Sequence, residues 1–149
     1  MAVARSGLWR HLEVELAAPA TAVFEALTDP RQLPEWWGPH DFTTPNIDLD
    51  LHVGGRYRFA MQPSEGELFN LQGEFLEIDA PRRLVYTFRW EEPDPDDVDT
   101  VATISLLDLG GSTRLIVDQG AFATEPRREL HERGWSDSLQ RLQTWLSSV

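Results

Sequence analysis

A chain of 149 residues with 41% hydrophobic side chains, six Trp and seven Phe can bury one core as a single domain, residues 1–149, and is too apolar to be disordered. It has no cysteine and no lysine, which excludes disulfides, thiolate metal sites, cysteine nucleophiles, Schiff-base chemistry and a Walker-type lysine. Its net charge of −12 argues against nucleic acid or an anionic membrane as partner.

The first ordered segment, residues 8–16, alternates: Leu8, Leu12, Val14 and Leu16 face one way, Trp9, His11, Glu13 and Glu15 the other. This is the pattern of a half-buried strand. Pro19 opens a short helix over residues 20–27 that Thr28-Asp29-Pro30 stops. Asp29 also suits an N-cap, with Pro30 next and Gln32 completing a capping box, so a second short helix is predicted to about Trp36. Trp36-Trp37-Gly38-Pro39 then makes a turn.

Residues 41–119 alternate almost throughout. Ile47, Leu49 and Leu51 share one parity; Tyr57, Phe59 and Met61 follow the Gly54-Gly55 turn; Phe69, Leu71, Gly73 and Phe75 form the next row. Leu84, Tyr86, Phe88 and Trp90 come after Ala80-Pro81, and residues 100–107 and 113–117 pair across Gly110-Gly111. Such tight turns predict antiparallel neighbours. Residues 125–146 change period, placing His131, Trp135, Ser138, Leu139, Leu142, Trp145 and Leu146 on one face of a helix of about six turns. Arg133, Asp137, Gln140, Arg141 and Thr144 fall on the opposite, polar face.

An antiparallel sheet patterned in this way must cover one face, and only the terminal helix is long enough to do so. The fold class is therefore α+β: a helix-grip fold with a curved antiparallel sheet of about seven strands around a long C-terminal helix, and two short helices after the first strand.

This order of elements, with Trp36-Trp37-Gly38-Pro39, Gly54-Gly55-Arg56-Tyr57-Arg58-Phe59 and Gly134-Trp135, resembles the bacterial relatives of the heat shock protein 90 ATPase activator. Those relatives belong to the START/polyketide-cyclase (SRPBCC) superfamily with the birch-pollen-allergen fold. The resemblance spans residues 8–146. It implies a hydrophobic cavity between sheet and helix, of roughly 300–1,000 Å³ for an ordinary ligand pocket, but no particular ligand. The eukaryotic co-chaperone has a separate N-terminal domain, for which this length is expected to leave no room.

Two readings stand for Trp37, Tyr57, Phe59, Phe75, Tyr86, Phe88 and Trp90: a packed core, or the walls of that cavity. A buried Tyr86 phenol needs a partner, which a ligand could provide. On the helix, His131 and Ser138 interrupt the apolar face beside Trp135 and Leu142, where they either orient a polar ligand head or sit at a solvated rim and bond the helix backbone. Gly134 costs roughly 1 kcal/mol relative to Ala in a helix, which predicts close approach of a strand or ring. The acidic run 91–99, with Pro93 and Pro95, reads as a solvated hairpin tip rather than a calcium loop. The four histidines lack metal-ligand spacing, and no serine elbow, P-loop or dinucleotide fingerprint occurs.

The expected function is binding of a small hydrophobic, aromatic or lipid-like molecule, with no catalytic residue, metal or cofactor assigned. A polyketide cyclase or dehydratase shuttling a proton through Tyr86, His131 or a buried carboxylate is the alternative, and a protein-interaction or co-chaperone-like module a third. A homodimer is left open. With no membrane-length apolar run and no signal-peptide pattern, a cytoplasmic protein is expected.

Overall fold

The computed structural model describes residues 7–148. Strand β1 (Leu8–Leu16) points Leu12, Val14 and Leu16 at the core and exposes His11, Glu13 and Glu15. Helix α1 (Ala20–Thr28) buries Val23, Phe24 and Leu27 and ends where the Asp29 N–H donates to the Glu25 carbonyl. That bond removes the donor that a capping box at Asp29 needs. The Gln32 amide instead reaches the Glu25 and Asp29 carboxylates, and the expected second helix is a single 3-10 turn, Leu33–Glu35.

Six further strands come after it: β2 (Phe42–Leu49), β3 (Arg56–Pro63), β4 (Phe69–Asp79), β5 (Arg83–Trp90), β6 (Thr100–Asp108) and β7 (Thr113–Phe122). Leu51, expected to extend the β2 row, lies past the strand end and is exposed. The seven strands form one curved sheet in the order β1-β7-β6-β5-β4-β3-β2, and every neighbouring pair is antiparallel. Consecutive strands β1 and β2 thus occupy opposite edges. The chain between them, α1 and the 3-10 turn, must cross the sheet, and this crossing carries residues 36–41 to α2 (Glu125–Ser148).

Helix α2 starts with the Thr124 hydroxyl accepting the Arg127 N–H, a cap three residues ahead. It buries His131, Trp135, Ser138, Leu139, Leu142 and Leu146, the face that its period predicts, and packs on β1, β7 and the 3-10 turn. Arg141 departs from the prediction: although its position is on the polar side, it is half-buried.

Registers on the covered side stack the aromatics. Phe59 faces Leu71 across β3–β4, Leu71 faces Trp90 across β4–β5, and Phe75 faces Tyr86 next to a bulge. Tyr57 faces Gly73, and here the glycine is essential. A Cβ at Gly73 would stand 2.6 Å from Tyr57 Cε1 and overlap the Thr87 carbonyl oxygen, to which the Tyr57 hydroxyl donates at 2.6 Å. Gly73→Ala is expected to destabilise the protein by roughly 3 kcal/mol, the upper end of overpacking costs. Urea midpoints of the two proteins check this; an unchanged midpoint would mean that Tyr57 does not lie against the β4 backbone.

Candidate functional site

The site starts from a turn that cannot satisfy its own backbone. Residues 37–41 lie between the 3-10 turn and β2; the Phe42 N–H reaches the Pro39 carbonyl and the Thr44 hydroxyl the Trp37 carbonyl, and the turn draws its further donors from elsewhere. Helix α2 supplies one donor group: Arg141 Nη1 lies 2.9, 3.1, 3.2 and 3.4 Å from the carbonyl oxygens of Trp37, Gly38, Pro39 and Phe42. Burial lowers the Arg141 pKa, against the raising pull of Asp137 and Glu35. One turn earlier, the Ser138 hydroxyl accepts the Gly38 N–H at 2.9 Å and donates to the Gly134 carbonyl at 2.8 Å. Ser138 therefore bonds its own helix, as one of its two readings has it, and also holds the turn.

This clamp fixes Trp37 between sheet and helix, edge-on to Trp36, Phe59 and Trp135 at centroid distances of 5.6, 5.2 and 5.4 Å. Trp37 divides the expected cavity in two. On the inner side Tyr57, Phe59, Phe75 and Tyr86 meet one another closely and leave, with Leu27, Leu49, Leu84 and Ile104, a void of only about 20 Å³. The packed-core reading describes these four aromatics. On the outer side is a half-open cavity of about 130 Å³, its walls almost wholly apolar, which brings together Trp37, Phe88, Trp90, His131, Trp135 and Ser138. Leu142, fully buried, borders neither space. Phe42, Met61, Phe69, Leu130 and Gly134 complete the outer wall.

Gly134 reverses its expectation. A Cβ there would meet nothing within 4 Å, so no strand or ring presses on this turn of α2. The missing side chain leaves open space in the cavity wall.

The polar atoms around Trp37 are unequally served. Trp36 Nε1 donates to the Ala26 carbonyl at 3.0 Å. Trp135 Nε1 donates to Gln119 Oε1 at 2.7 Å, and Gln119 in turn donates to Thr100. Trp37 Nε1 is buried and has no partner among the described residues, in a residue that is only 6% exposed. His131 contacts the rings of Phe88, Trp90 and Phe122 and has no hydrogen bond among the described residues. Burial, reinforced by the Arg127 charge, lowers its pKa to about 4 and leaves the imidazole neutral at pH 7. Tyr86 Oη likewise finds no protein partner among the described residues; it borders the inner void, and burial raises its pKa.

The acidic run does not stay free in solvent. Arg127, on the first turn of α2, reaches Asp94 at 2.5 Å, Asp96 at 3.0 Å and Asp97 at 3.3 Å, drawing the run against α2 beside His131. Hydrogen bonding to Arg127 lowers the Asp96 pKa. Among the described residues no group of three or more His, Asp or Glu could hold a metal ion. No helix is long and apolar enough to cross a membrane. A wider depression of about 460 Å³, between His40, Arg141 and Trp145 on the far side of the clamp, is open to solvent.

The family model described as activator of Hsp90 ATPase homolog 1-like protein matches residues 17–147. The chain belongs to this family. With it comes membership of the START/SRPBCC superfamily. Solved relatives share the architecture over nearly the whole chain. A Nitrosomonas europaea protein has 29% identity and a TM-score of 0.81, with 97% of each chain covered. The AHSA1 protein from Silicibacter pomeroyi has 28% identity and a TM-score of 0.81, covering 93% of this chain and 97% of its own. A protein from Arthrobacter aurescens has 25% identity and a TM-score of 0.84, covering 96% and 88%. No curated protein matches the sequence.

Within this activator-homologue fold, sequence reasoning missed Arg141, whose place on the polar side of α2 hides it. The signal was the unsatisfied turn at Trp36-Trp37-Gly38-Pro39, which demands outside donors. Met61 and Phe69 share parity with the chosen strand aromatics and could have been included on that ground.

The neutral imidazole gives the fold a pH dependence. The folded pKa of His131, about 4, lies below its ordinary 6.5, so the unfolded chain takes up this proton first as pH falls. Its contribution is present above pH 6.5 and lost progressively between pH 6.5 and 4. Acid unfolding of wild type and His131→Leu is expected to diverge over that window, with wild type losing roughly 3 kcal/mol more. Parallel loss in both proteins would mean that the ring is hydrated.

Proposed function

We propose that this protein binds a small apolar molecule in the outer space between sheet and α2. The observation that supports this reading is the apolar cavity of about 130 Å³ beside Gly134, which a clamped Trp37 keeps from collapsing into the packed interior. Its size changes the expected ligand. The inner aromatics fill most of the 300–1,000 Å³ of an ordinary pocket, so the space suits one ring or a short branched chain rather than a fatty or polyketide chain. An apolar cavity of similar volume in another protein accepts benzene.

A ring burying on the order of 250 Å² gains roughly 6 kcal/mol, and association costs of about 4 kcal/mol leave an affinity in the millimolar range, up to tens of mM. The cyclase-like alternative keeps His131 at the cavity but has the Tyr86 hydroxyl on the inner void, behind Trp37. Binding requires neither group to titrate.

The test uses Gly134→Phe, which puts a ring where a Cβ meets nothing. Toluene titrated into wild type should give saturable amide shifts around Gly134, Trp135 and His131. In the variant those shifts should disappear while the thermal midpoint stays level or rises, because the helix loses a glycine worth about 1 kcal/mol. A wild type that shows no saturable shift up to toluene's solubility limit contradicts the reading.

A further inference from the structure

The polar equipment around the outer cavity specifies more than apolarity. Trp37, Trp90 and Trp135 line the cavity and Trp36 packs against Trp37; the indole N–H groups of the two neighbours of Trp37 are bonded to protein oxygens, Trp36 to Ala26 and Trp135 to Gln119. Trp37 Nε1 itself is buried with no acceptor among the described residues. An indole nitrogen can only donate, and a buried donor without a partner is costly. Trp37 borders both spaces, but the inner void of about 20 Å³ has room for a single water-sized group, whereas the outer cavity takes a ring.

The second polar group at the cavity, the His131 imidazole, also lacks a hydrogen bond among the described residues and carries no charge at pH 7. Ser138 offers nothing further, since its hydroxyl already bridges Gly38 and Gly134. Of the nearby cations, Arg127 is neutralised by Asp94, Asp96 and Asp97, and Arg141 faces the Gly38, Pro39 and Phe42 carbonyls; among the described residues no charged side chain lines the cavity itself. The cavity therefore presents an indole N–H donor, a neutral imidazole and a large apolar wall, with no charged side chain in its lining to balance an ion. An ionised carboxylate would enter unpaired, at a high desolvation cost.

We propose that the outer cavity takes an uncharged, single-ring molecule bearing one hydrogen-bond acceptor, and that Trp37 Nε1 donates to that acceptor. This rests on the binding reading above and adds ligand chemistry to it. Trp37 is then a specificity residue as well as a wall: an aryl ketone or ether keeps its bond, and a hydrocarbon of the same shape leaves the indole unpaired.

Three probes of nearly equal size separate the claims: ethylbenzene, acetophenone and benzoate at pH 7. In wild type, acetophenone is expected to bind about tenfold tighter than ethylbenzene, the worth of one buried hydrogen bond. Benzoate is expected to bind at least tenfold more weakly than acetophenone. The indole ¹⁵N–¹H resonance of Trp37 should move downfield with acetophenone and not with ethylbenzene, a readout that needs no folded variant. In Trp37→Phe, which reshapes the wall for every probe, the ratio of acetophenone to ethylbenzene affinity should fall from about tenfold to about one, whatever happens to the two affinities together.

Equal binding of ethylbenzene and acetophenone, with the Trp37 resonance unmoved, overturns this proposal and leaves the apolar-cavity reading standing. Benzoate binding as tightly as acetophenone overturns the uncharged specification. If none of the three binds, the cavity reading falls and this proposal falls with it.

Discussion

The arrangement depends on one contact between distant parts of the chain: Arg141 and Ser138 on α2 grasping the backbone of residues 37–42. The sheet order forces the chain to cross from one edge strand to the other between β1 and β2. A crossing segment with no ladder partner would leave carbonyls unsatisfied against an apolar face. Arg141 serves four of them from one nitrogen, and Ser138 takes the Gly38 N–H. That nitrogen carries two N–H groups, so the four carbonyls share them, and the permanent charge of the guanidinium attracts all four oxygens. The clamp sets the position of Trp37, and Trp37 in turn sets the division between packed interior and open cavity.

That division explains how a fold associated with ligand pockets can hold so little empty space. The sheet's curvature leaves room between strands and helix, and four large rings, Tyr57, Phe59, Phe75 and Tyr86, take up the inner part. Each meets its neighbours at centroid distances near 5–6 Å, the ordinary range for stacked or edge-on pairs. Near the mouth the wall changes character. Gly134 withholds a side chain, His131 stands neutral among Phe88, Trp90 and Phe122, and the Trp37 N–H is unpaired. Natural cores rarely leave a donor such as the Trp37 N–H unsatisfied, and one at the edge of a cavity is better understood through what enters it.

The strands and the buried face of α2 were legible because period-two and period-3.6 patterns report directly which side of an element is covered. Parity reports a face, however, and not a depth along it. Tyr57 and Phe88 therefore looked alike in sequence, though one lies in the packed interior and the other at the cavity. The sequence also could not show that the Asp29 N–H was already taken by α1, which is why a helix was expected where one 3-10 turn forms. Gly134 and Gly73 illustrate the same ambiguity in opposite senses. Both interrupt regular elements; Gly73 admits the Tyr57 ring, and Gly134 admits nothing from the protein. Arg141 was hidden for a third reason, since a long side chain can reach from the polar side of a helix back to its edge.

The central claim is that clamping Trp37 leaves a stable apolar void beside Gly134. Crystallography under xenon pressure tests it most directly, because xenon enters dry apolar cavities without needing any polar partner. The account predicts a single well-occupied xenon site bounded by Trp37, Phe88, His131 and Gly134, with the contacts from Arg141 to the 37–42 carbonyls intact. Side chains closed over that space, with no xenon between sheet and α2, would contradict it.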